Sequence, residues 1–100
     1  MTTLTDLETL IPDIIRRMED IASAASRYKH FNRDGRARVL INEINGKIKQ
    51  IKKVHETYKK SPSFQNQNFD SYIEMLENQI KEFKNTYDII MQMNDIPYYY

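Results

Sequence analysis

The spacing of the apolar residues constrains this chain more than any other feature. Leu4, Leu7, Ile11, Ile14, Met18, Ile21, Ala25 and Tyr28 follow alternating steps of three and four. Ala37, Ile41, Ile44, Ile48, Ile51, His55 and Tyr58 repeat the pattern, and so do Phe69, Ile73, Leu76, Ile80, Phe83, Tyr87 and Ile90. Such steps keep one stripe of an α-helix turned toward a neighbour, whereas a strand alternates every second residue. Leu10 and Ile15, Leu40 and Val54, and Tyr72 and Met91 widen the three stripes. A two-stranded coiled coil needs only a narrow seam; a wide stripe touches two neighbours, as in a bundle.

The breaks between the stripes fit helix ends. Thr5 with Glu8 forms a capping-box pattern that opens the first helix. Pro12 in its second turn removes a backbone donor, so a kink or a restart is expected there. Asn32, Asp34 and Gly35 are turn formers, and Asp34 can cap the second helix. Ser61 precedes Pro62 and is biased out of the helical region. Asn66 or Asn68 can cap the third helix. The reading is an all-α chain in one domain, an antiparallel up-down-up three-helix bundle. Its helices run over residues 5–29, 37–60 and 68–94, with Pro97–Tyr100 as a tail. At about 1.5 Å per residue each helix spans roughly 35–40 Å.

Composition narrows the function. With no cysteine, disulfides and thiolate metal sites are excluded. The acidic N-terminus lacks the basic segment of a signal peptide, and no apolar run is long enough to span a bilayer. A cytosolic location follows as the expectation. His55 has no acidic residue or second histidine at i+3 or i+4, and no Gly-rich phosphate loop, nucleophile motif or E-x-x-H pair is present. The chain is therefore read as non-enzymatic, without cofactor or metal.

The net charge of +1 conceals a division. Residues 1–32 sum to −1, residues 33–60 to +6 and residues 61–100 to −4. The lysines of the second helix lie around its polar circumference, which weighs against a nucleic-acid surface. Lys47 and Lys52 flank the seam and are expected to pair with Glu74, Glu77 or Glu82. Arg33, Arg36 and Arg38 form a basic patch by the turn that could meet a partner or an anionic membrane surface. Gly46, in mid-helix, suggests close approach of another helix. The expected partner-binding set is Arg33, Arg36, Arg38, Leu40, Gly46, Tyr58, Tyr72 and Met91, with a groove between two helices. The tail "MQMNDIPYYY" reads as an adhesive segment.

The layout resembles the N-terminal three-helix (Habc-like) domain of SNARE proteins of the short syntaxin and Vti kinds. One helix ends in "SRYKHFNRDGRAR", a second reads "LINEINGKIKQIKKVHETYKK", and "SPSF" leads into "FDSYIEMLENQIKEFKNTYDIIMQ". The resemblance implies a regulatory, adaptor-binding module in vesicle trafficking and membrane fusion, on the cytosolic face of endomembranes. Its implied partners are a trafficking adaptor, a tether or another helical segment. The hairpin around "KKSPSF" is similar also to small secretion-needle subunits, which implies a self-associating helical subunit of a larger assembly. A basic nucleic-acid or lipid-surface binder is the third reading.

Overall fold

The computed structural model describes residues 1–95, with side chains placed through residue 92. It contains α1 (Leu4–Ser26), α2 (Gly35–Lys60), a single 3-10 turn (Pro62–Phe64) and α3 (Asp70–Asp95), and no strand among the described residues. The chain is a three-helix bundle, and α1 and α2 share the largest interface.

The apolar stripes build the core. Leu7, Ile11, Ile14 and Met18 of α1 meet Leu40, Ile44, Ile48 and Ile51 of α2. Leu76, Ile80, Phe83 and Ile90 complete the core from α3. No polar or charged residue is buried among the described residues. Stability therefore rests on apolar burial, at roughly 25 cal/mol per Å². Contacts at both ends set the arrangement. The Phe69 N–H donates to the Thr2 carbonyl at 2.8 Å, so the starts of α1 and α3 lie together. The start of α2 lies beside the end of α3, where Leu40 and Ile90 line one groove.

Three local features differ from the sequence expectations. The capping box is formed by Thr3 and Asp6, not Thr5 and Glu8. The Asp6 N–H donates to Thr3 Oγ1 at 3.2 Å, and the Thr3 N–H donates to Asp6 Oδ2 at 2.9 Å. Opening there puts Leu4 and Leu7 on the helix, and Leu7 is fully buried. α1 runs through Pro12 without restarting; the ring is on the exposed side, while Ile11, Ile14 and Ile15 around it are buried. α1 also ends at Ser26, earlier than the stripe suggests, and Tyr28 packs against the core from the following turn.

The caps of α2 and α3 follow the sequence. Asp34 accepts from the Arg36 N–H at 3.0 Å, and Asn68 Oδ1 accepts from the Asp70 N–H at 2.9 Å. Ser61 is extended (φ −104°, ψ 118°), as the residue before a proline prefers.

Gly46 is exposed, and a Cβ placed on it would meet no atom within 4 Å. No helix among the described residues approaches it, contrary to the reading of a close crossing within the fold. Gly46→Ala is therefore expected to stabilise dilute protein by up to about 1 kcal/mol. A thermal melt checks this, with a rise of several degrees for a domain of this size. A fall would mean that the position is not open.

Candidate functional site

The candidate site is the face where α2 and α3 lie side by side away from α1. Gly35, Val39, Leu40 and Glu43 form one wall of a groove, and Ile89 and Ile90 the other. Its volume is about 590 Å³. Leu40 and Ile90 are the buried floor, whereas Val39 is 55% and Ile89 46% exposed. Met75, 50% exposed, stands two heptads before Ile89 on the same stripe of α3. Val39, Met75 and Ile89 thus share one face, and with Met1 they are the exposed large apolar residues among those described. Such concentration of apolar surface marks interaction sites.

Polar groups frame this stripe. Glu43 and Gly46 continue the line of Val39 along α2, and Glu82 lies midway between Met75 and Ile89. Both glutamates are exposed and neither forms a salt bridge among the described residues; Glu82 accepts a 3.5 Å hydrogen bond from Gln79. The face is apolar where Val39 and Ile89 meet, and Glu43 and Glu82 place carboxylates along it toward Met75.

The sequence-derived site residues do not converge. Arg36 lines the groove and pairs with Asp34 at 2.8 Å. Leu40 is the groove floor. Arg33 is exposed in the turn. Arg38 donates to the Asn32 carbonyl at 2.7 Å and sits 6.0 Å from the Phe31 ring centroid. Tyr58 and Tyr72 belong to the opposite end of the bundle. Tyr58 contacts Phe64, Phe69 and Tyr72, with centroids 4.8, 5.0 and 5.7 Å away. Burial, and then Tyr58, raises the Tyr72 pKa to about 12, so its phenol stays protonated. These tyrosines close the core rather than line a groove. Met91 packs against the core. The tail Pro97–Tyr100 lies outside the described residues.

The expected pairing of Lys47 and Lys52 with the acids of α3 is not formed. Glu77 is taken by Arg17 of α1, whose two terminal nitrogens donate to its carboxylate at 2.9 and 2.8 Å. That bond holds the Glu77 pKa below its ordinary value. Lys47 donates instead to Gln50 on its own helix, at 3.3 Å. The third helix turns its acids toward α1 and solvent, so opposite charge totals did not become contacts.

His55 sits beside a second groove, between α1 and α2, with Ile11, Ile15, Glu19 and Lys52. Its Nε2 is buried without a hydrogen-bond partner among the described residues. Burial first, and then Lys59, lower its pKa below the ordinary 6.5; Glu56 and Glu8 oppose this weakly. The fold holds the neutral ring, so its contribution is intact above about pH 6.5. It is lost as pH falls through the lower folded value, because the unfolded chain binds the proton more readily. His55→Leu should flatten the stability profile below about pH 6.5, and urea melts at descending pH check it. An unchanged slope would assign the acid sensitivity to other groups.

Among the described residues no three His, Asp or Glu side chains are placed to hold a metal ion. No helix among them is long and apolar enough to cross a membrane. No protein family, curated protein or solved structure matches this chain at a significant level.

Proposed function

We propose that this chain is a non-catalytic interaction module that receives a helix of a protein partner along the α2–α3 face. The observation that carries the reading is the exposed pair Val39 and Ile89 over a floor of Leu40 and Ile90, with Met75 exposed two heptads earlier on the same stripe of α3. A partner helix with apolar residues at i, i+3, i+4 and i+7 fits such a groove. Glu43 and Glu82 favour lysine or arginine on its flanks. Gly46, with no side chain, lets that helix come near the α2 backbone.

The finer reading is the adaptor-binding N-terminal domain of a vesicle-trafficking SNARE, acting on the cytosolic face of endomembranes. It rests on the layout of three heptad helices with short turns. Two experiments test the two levels. Titration of isotope-labelled protein with a synthetic cationic amphipathic helix should shift the amide signals of Val39, Gly46 and Ile89, and those near Met75. Shifts spread evenly over the bundle, or none, would sink the groove reading. Sequencing the transcript beyond the codon for Tyr100 tests the trafficking reading. A heptad helix with a central glutamine followed by an apolar anchor is expected, and a stop codon there overturns it.

A further inference from the structure

The bundle segregates charge across its width. On α2, Arg38, Lys49, Lys53 and Lys60 fall on one outward stripe at helical spacing, and all are exposed. None forms a salt bridge among the described residues. The acid on this stripe, Glu56, is already paired with Lys59 at 3.0 Å. The stripe faces away from Ile44, Ile48 and Ile51, which pack into the core against α1 and α3.

The opposite face is acidic. The Arg17–Glu77 bridge marks the side on which α1 and α3 meet. Asp6, Asp13 and Asp20 lie one heptad apart on that side of α1, and Asp70, Glu74, Glu77 and Asp88 lie along that side of α3. They outnumber Arg16, Arg17, Lys81 and Lys84, of which Arg16 pairs with Asp13 at 2.6 Å and with Asp20 at 3.7 Å. Glu74 and Asp88 are exposed and form no salt bridge among the described residues. A cationic edge and an anionic face therefore sit back to back, while a net charge of +1 leaves little overall repulsion between copies.

We propose that copies of this chain associate head to tail, the α2 edge of one copy docking on the α1–α3 face of the next. The contact is heterologous: a docked pair keeps one unused face of each sign, on opposite copies, so the assembly extends instead of closing as a two-fold dimer. It uses none of the groove residues of the α2–α3 face, so both surfaces can work in one protein. Its electrostatic origin makes it strong when the screening length is long and weak when it is short.

The test is sedimentation of the whole chain in low and high salt with two charge-reversed variants. At about 10 mM salt the wild type should exceed the 12.0 kDa monomer in a concentration-dependent manner, and at about 1 M it should return to it. Lys49→Glu with Lys53→Glu cancels the cationic edge and keeps the anionic face, and Glu74→Lys with Asp88→Lys cancels the anionic face and keeps the cationic edge. Each variant alone should be monomeric at low salt, and an equimolar mixture of the two should associate. All four positions are exposed, and circular dichroism verifies that the helices persist. A wild type that stays monomeric at low salt overturns the proposal. So does association that survives high salt or is untouched by either reversal, which would place the contact on the apolar α2–α3 face instead. Two monomeric variants that fail to associate when mixed also overturn it.

Discussion

Phe69→Ala should destabilise the bundle by about 3–5 kcal/mol, the range for truncating a well-packed phenylalanine. Phe69 is 1% exposed and stands immediately before α3. Its ring meets Tyr58, which also contacts Phe64 and Tyr72, so one truncation leaves a void that several rings border. Its backbone ties the start of α3 to Thr2, and the alanine variant keeps that bond. The loss should thus be one of packing, visible as a lower urea midpoint with an unchanged slope. A loss under about 1 kcal/mol would mean that the rings collapse into the void.

Ile44→Ala should cost about 2–5 kcal/mol. Ile44 is fully buried near the middle of α2, inside the cluster that unites all three helices. Val39→Ala, a little over one turn earlier on the exposed groove wall, should change stability by no more than about 0.5 kcal/mol. The contrast is the informative quantity, because both substitutions remove apolar atoms from the same helix. Equal effects would mean that the inner and outer faces of α2 are misassigned. The α2–α3 face would gain separate support if Val39→Ala weakened binding of the amphipathic helix without moving the melt.

The core was legible in the sequence because burial is periodic. Leu7, Ile11, Ile14, Met18, Ile44, Ile48, Ile51, Leu76, Ile80 and Phe83 were all placed on inward stripes, and all are buried. The first cap was misplaced because two threonine patterns compete within one turn. Thr5 with Glu8 has the more favoured partner, but Thr3 with Asp6 lets Leu4 join the helix. The charge pairs were not legible from regional totals. Facing, not sum, decides contact, and α1 presents Arg17 to Glu77 while the lysines of α2 look outward. The candidate groove carried a readable signal in the apolar residues outside the seams: Val39, Met75 and Ile89 at positions a soluble helix usually fills with polar side chains. Tyr58 and Tyr72 stand at the seam edges in the sequence, where a ring can either line a groove or close the core, and here they pack with Phe64 and Phe69.

The unequal sharing of contacts also has a consequence for motion. α1 and α2 are consecutive in the chain and share the largest interface. α3 is held by smaller interfaces and by contacts with α1 that bridge long stretches of chain, such as Thr2 to Phe69 and Arg17 to Glu77. This makes α3 the natural unit of local opening, a segment that can lift while the α1–α2 hairpin persists. Because α3 supplies one wall of the groove, a helix bound there would also act as a clasp, slowing amide exchange along α3.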